Sequence, residues 1–157
     1  MIATIKDLKE KVLDIKYDRI EQGKTLDIPE VDEWLRFKKG AFNICVGHAN
    51  TGKTTVILYL MLAYALKHNL SWLIFSSENT DYSIARKLIE FKTATPVQKL
   101  PDARIEEELN WINDHFKIIS VNKIYTARTL MEEAKKIKEV FDYDGLFVDP
   151  YNSLAKD

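Results

Sequence analysis

The chain has 157 residues, 46% of them hydrophobic and 30% charged, which suffices for one substantial core and is too short for two ordinary domains. Its 23 Lys and Arg nearly balance 24 Asp and Glu, for a net charge of -1, so no overall basic field draws it to nucleic acid or a membrane surface. The single cysteine, Cys45, excludes a disulfide framework, and its place in an apolar run reads as a small buried core residue.

Ile5, Leu8, Val12 and Ile15 recur at helical spacing among charged residues, so residues 4–21 read as an amphipathic helix ended by Gly23. This gives a linker over residues 1–23 and a core unit over 24–157. Lys24 to Gly40, with Pro29 and the patch Trp34-Leu35-Arg36-Phe37, reads as an irregular connection or a short helical turn, with Trp34 and Phe37 assigned to packing. Ala41 to Val46 follows as an apolar strand. Lys53 to Lys67 is a helix that is apolar nearly all round, which calls for burial against a sheet.

Ser71 to Ser77 reads as a buried strand of a parallel sheet. Asp81 is positioned to cap a helix with Ile84, Leu88 and Phe91 inward. Thr95-Pro96 breaks the pattern, and Pro101-Asp102 starts a helix with Ile105, Leu109 and Ile112 inward. Phe116 to Val121 is a third strand after that at 41–46, Thr126 to Val140 a helix with Leu130, Ala134 and Ile137 on one stripe, and Gly145 to Asp149 a fourth strand. Strands alternating with helices mean an α/β fold with a mostly parallel sheet flanked by helices. The longest apolar stretch, Val56 to Leu66, is too short to span a bilayer, and the charged N-terminus is not a signal peptide, so a cytoplasmic location without membrane partners is expected.

Gly47-His48-Ala49-Asn50-Thr51-Gly52-Lys53-Thr54 fits GxxxxGK[ST], between an apolar strand-like run and a long helical pattern. Two glycines let the backbone curl so that successive N–H groups point at a phosphate, and the helix beginning near Lys53 adds its positive dipole end. Lys53 reaches the β- and γ-phosphates, and Thr54 offers a hydroxyl to Mg²⁺. The nucleotide-binding set is Gly47, Asn50, Thr51, Gly52, Lys53, Thr54 and Thr55; the side chains of His48 and Asn50 read as loop fillers, since the loop works through its backbone. Leu146-Phe147-Val148-Asp149 is an apolar run ending in an acid, the Walker B pattern, and in a parallel sheet its carboxyl end opens on the same edge as the P-loop. Asp149 there would hold Mg²⁺ through a bound water. Glu78 follows the strand of residues 71–77 at the same edge, where its carboxylate can polarise a water; a solvated loop glutamate is the plainer alternative. His68 and His115 lack ligand-spaced neighbours, and Lys87, Lys92, Lys135, Lys136 and Lys138 read as a solvated face.

The order of these elements resembles the RecA-like P-loop NTPases, and among them the replicative hexameric helicases of the DnaB type, including phage and mitochondrial forms. The amphipathic linker helix, Ile28-Pro29-Glu30-Val31-Asp32-Glu33-Trp34-Leu35 with Lys39-Gly40, the P-loop, Phe75-Ser76-Ser77-Glu78-Asn79 and Val148-Asp149-Pro150-Tyr151-Asn152-Ser153-Leu154 carry the resemblance. The Glu78 segment is similar to the family's strand ending in Ser-Leu-Glu-Met, whose Glu is the catalytic base. The resemblance implies ATP and Mg²⁺ as cofactors, Glu78 and Lys53 as catalytic residues, a homohexameric ring with the linker helix on a neighbour, and translocation on single-stranded DNA. It also implies a sensor strand between the P-loop strand and the Walker B strand, DNA-gripping loops and an arginine finger beyond Asp157. The chain is therefore expected to be the N-terminal part of a longer protein, with a sheet incomplete at its C-terminal side and very slow turnover on its own.

A RecA-like ATP-dependent regulator or recombination factor without unwinding activity is the alternative function. A small-molecule kinase would need an Arg-bearing lid, for which no segment stands out. A GTPase is set aside because Asn122-Lys123-Ile124-Tyr125 lacks the Asp that reads guanine, and the DxxG-like Asp142-Tyr143-Asp144-Gly145 follows it.

Overall fold

The computed structural model describes residues 4–20, 22–121 and 123–156, so Asn122 of the guanine-motif reading and the terminal Asp157 lie outside the described residues. It divides into two compact units, Met1–Ala41 and Phe42–Asp157.

The first unit begins with helix α1 (Ile5–Lys16). Its apolar stripe of Ile5, Leu8, Val12 and Ile15 is exposed. The helix stops short of Gly23 because Asp18 takes a left-handed conformation, φ 50. Arg19 N–H donates to Asp14 O at 2.9 Å and Asp18 N–H to Ile15 O at 3.2 Å, the two bonds of a Schellman stop. Beyond it, Lys24 and Phe37 form an antiparallel bridge. Within that loop, Pro29 opens the short α2 (Pro29–Asp32). The Asp32 carboxylate accepts from Leu26 N–H at 2.7 Å and Ile28 N–H at 3.0 Å, fixing the expected irregular connection. Phe37 is half-buried, whereas Trp34 is exposed rather than packed.

The second unit is built on a three-stranded sheet of order β2-β1-β3. The strands are β1 (Trp72–Ser76), β2 (Phe116–Ile119) and β3 (Gly145–Asp149). Both pairings are parallel, with Trp72 opposite Phe116 on one side and Ser76 opposite Asp149 on the other. Every residue of β1 is buried, as a central strand with apolar groups on both faces requires. Leu73 and Phe75 face Leu130 and Ala134 of α6 (Ala127–Lys138), with Ile119 and Tyr125. Strand alternation turns Trp72 and Ile74 to the opposite face. The rest of the core comes from α3 (Lys53–His68), α4 (Asp81–Thr93) and α5 (Asp102–His115), which bury Leu58, Leu62, Ile84, Leu88 and Ile112. No described helix is long and apolar enough to cross a membrane.

Several local readings change. The run 41–46 is not a strand: it lies outside the sheet, with Phe42 87%, Ile44 72% and Val46 87% exposed, and Cys45 is exposed with them. A strand needs a neighbour for its ladder, and residues 41–46 pair with none of the described strands. Helix α3 likewise buries only one side, leaving Val56, Tyr59 and Leu66 exposed. Thr80, not Asp81, caps α4, accepting from Ser83 N–H at 3.3 Å.

On α5 the residue turned fully inward is Glu108, while Leu109 is exposed. Glu108 is tolerated there because both carboxylate oxygens are paired. Oε2 accepts from Lys92 Nζ of α4 at 2.5 Å and Oε1 is ion-paired with Arg104 Nη2 at 2.6 Å, and Lys92 also lies 4.8 Å over the Trp111 ring. Lys92 therefore belongs to this interhelical cluster rather than to a solvated face. Removing the carboxylate strands Lys92, so Glu108→Ala should destabilise the fold by about 3–5 kcal/mol, whereas replacing both partners together, Glu108→Met with Lys92→Met, should cost far less. Urea unfolding midpoints of the three proteins check this.

Candidate functional site: the P-loop and the β3 carboxylate

The P-loop closes on itself through its lysine. Lys53 Nζ donates to Gly47 O at 2.9 Å and His48 O at 2.5 Å, while Thr51 Oγ1 donates to His48 O at 2.9 Å. An ammonium has three donors, so this arrangement leaves one for a phosphate oxygen. A Cβ on Gly47 would stand 3.3 Å from Lys53 Cδ and from Thr51 Oγ1, which explains the need for glycine where the lysine folds across. Gly52 takes φ 83 at the N-cap of α3, a conformation costly for a side chain, and Asn50 is also left-handed at φ 58. No side chain caps α3, so the first-turn amides, including those of Lys53, Thr54 and Thr55, face the loop without a capping side chain.

Thr54 is joined to the sheet. Its Oγ1 donates to Asp149 Oδ2 at 2.8 Å, bringing together the two residues that the sequence assigned to a metal. Asp149 is 8% exposed at the carboxyl end of β3, and its backbone O accepts from Ser77 N–H at 3.0 Å. The donor set fits Mg²⁺, a hard cation that takes oxygen ligands, keeps several waters and needs only one or two protein groups beside phosphate oxygens. Among the described residues no group of three or more His, Cys, Asp or Glu gathers, so a denser cage is not what this site offers.

Glu78 is exposed two residues past β1 and makes no hydrogen bond to Lys53, Thr54 or Asp149 among the described residues. It lines a cleft of about 280 Å³ between the ends of β1 and β2, with Ser77, Thr80, Tyr82 and Ser120. Between Glu78 and the Thr54–Asp149 contact stands Asn79, a residue to which sequence reasoning gave no role. Its Nδ2 lies 3.4 Å from Asp149 Oδ2. A polar side chain directly after the strand-end glutamate was the available signal. His115 is half-buried and spans Trp111 O at 2.9 Å and Asn69 Oδ1 at 3.0 Å.

The sequence of residues 25–151 matches the family described as DnaB-like helicase C terminal domain. The chain belongs to that family. No curated protein and no solved structure matches it at the same standard. Membership accounts for the parallel sheet and the P-loop ahead of α3: the fold is the RecA-like α/β fold of the DnaB-like ATPase domain.

If the loop of this DnaB-like domain holds ATP as its sequence implies, Lys53→Ala should weaken that binding by about 2–5 kcal/mol, because it would remove a charge-assisted contact to phosphate together with the tie that closes the loop. Calorimetric titration of both proteins measures it, with an unchanged unfolding midpoint as the control.

Proposed function

We propose that this chain is the ATP-binding and ATP-hydrolysing core of a replicative DNA helicase, akin to phage and mitochondrial forms, that couples hydrolysis to translocation on single-stranded DNA. The observation that carries the reading is the contact of Thr54 with Asp149, which joins the P-loop to the Walker B acid. In the proposal, the amides of residues 47–55 and Lys53 bind the phosphates, while Thr54 and Asp149 hold Mg²⁺, Thr54 directly and Asp149 through water. Bound Mg²⁺ would neutralise charge developing on the β- and γ-phosphate oxygens. Glu78, unengaged and solvent-facing at the same sheet edge, would accept a proton from the attacking water.

The subunit arrangement is part of the proposal. An exposed stripe of Ile5, Leu8, Val12 and Ile15 on α1 supports a helix that packs on the next subunit of a homohexameric ring. β3 carries Leu146, Phe147 and Val148 in an unbroken apolar run, the pattern of an interior parallel strand, yet among the described residues it pairs only with β1. With Phe42 to Val46 lying off the sheet, this supports reading the chain as the N-terminal part of an ATPase domain whose sheet gains a strand beside β3. Slow turnover in isolation then follows, since an arginine finger from a neighbour is worth about 10³ to 10⁵ in rate. A nucleotide-dependent recombination factor would share this site, and strand-displacement assays of the full-length protein separate the two: a motor unwinds a forked duplex, a switch only hydrolyses ATP on DNA.

In the full-length protein, Glu78→Gln should leave Mg·ATP affinity intact and lower the hydrolysis rate by about 10² to 10⁴. Retention of full turnover by that variant would remove Glu78 from the mechanism.

A further inference from the structure

The turn that follows β1 is fastened to Asp149 at more than one point. Ser76, the last residue of β1 and 3% exposed, stands in register opposite Asp149, and the next amide, Ser77 N–H, donates to Asp149 O at 3.0 Å. Ser76 Oγ accepts from Asn79 N–H at 3.0 Å, which closes the four-residue turn bearing Glu78. Asn79 Nδ2 lies 3.4 Å from both Ser76 Oγ and Asp149 Oδ2. Asp149 Oδ2 is also the oxygen that receives the Thr54 hydroxyl. One carboxylate oxygen is thus approached by a threonine from the P-loop side and by an asparagine from the Glu78 side.

Residue type makes this arrangement informative. A carboxamide N–H donates to a carboxylate without adding charge and without competing for a cation, so it can fix the carboxylate's rotation while leaving its other oxygen to water. The helicase pattern that this segment resembles has methionine at the corresponding place, which has no N–H to give. We propose that Asn79 is a positioning residue: it holds the Asp149 carboxylate in the rotation that meets Thr54, and ties the Glu78 turn to the metal-binding acid. The inference rests on Thr54 and Asp149 being the Mg²⁺ residues.

The test uses the full chain with ATP and Mn²⁺ as a paramagnetic stand-in for Mg²⁺. Free Mn²⁺ is followed by electron paramagnetic resonance, and ATP affinity in EDTA and the unfolding midpoint are measured alongside. Asn79→Leu should raise the Mn²⁺ concentration for half-saturation about tenfold, the low end of what outer-shell partners contribute, with metal-free ATP affinity and unfolding unchanged. Asn79→Gln, which keeps a carboxamide N–H, should recover part of that loss. Manganese affinity within about twofold of the parent in both variants overturns the proposal, and so does a parallel fall in metal-free ATP affinity, which would mark a merely structural role. If the unsubstituted chain binds ATP but takes up no Mn²⁺ with it, the underlying assignment of Thr54 and Asp149 fails instead.

Discussion

A hydroxyl on the first turn of α3 donates to a carboxylate at the end of β3, between residues 95 positions apart in the chain. The 2.8 Å bond from Thr54 to Asp149 makes the site more than a loop with a recognisable sequence. The P-loop alone offers backbone amides and a lysine, which is an anion cradle. A buried acid at hydrogen-bond distance from its threonine would turn that cradle into a place for an anion and a hard divalent cation together. β1 supports the acid from the other side through the register of Ser76 with Asp149 and the Ser77 amide, so the sheet and the loop converge on one carboxylate.

The same second unit leaves much apolar surface in water. Phe42, Ile44 and Val46 are exposed, as are Val56, Tyr59 and Leu66 along α3. Scattered exposed apolar residues are ordinary, but these adjoin the P-loop in sequence on both sides and follow strand and helix spacing. β3 adds a strand apolar on both faces with one edge unpaired among the described residues. A sheet that extends past β3 would account for all three with one change, giving the run before the P-loop the neighbour it lacks.

Much of this was legible in the sequence. The apolar runs ending in Ser76 and Asp149 announce buried parallel strands, and an acid closing such a run announces itself as a candidate ligand. GxxxxGK[ST] fixes a loop and a helix start, and α3 begins at Lys53 as the pattern requires. What failed depended on partners distant in sequence. The run 41–46 reads as a strand locally, but pairing is a property of two segments. Glu108 sets a charge on the inward stripe of Ile105 and Ile112, and only Lys92 brought over from α4, with Arg104 one turn earlier, makes its burial tolerable. Asn79 gains its meaning from a carboxylate 70 residues away. The end of α1 was misread for a different reason: Asp adopts left-handed backbone often enough to stop a helix before the glycine that seemed to.

The central claim is that Gly47–Thr55 and Asp149 form one Mg-nucleotide site, and the amide spectrum of the isotopically labelled chain tests it most directly. Adding Mg·ATP should shift the resonances of Gly47, Gly52, Lys53, Thr54, Thr55 and Asp149 together, with the Asp149 shift lost when EDTA removes the metal. Shifts confined to the β1–β2 cleft around Thr80 and Ser120, or none at saturating nucleotide, would contradict the account.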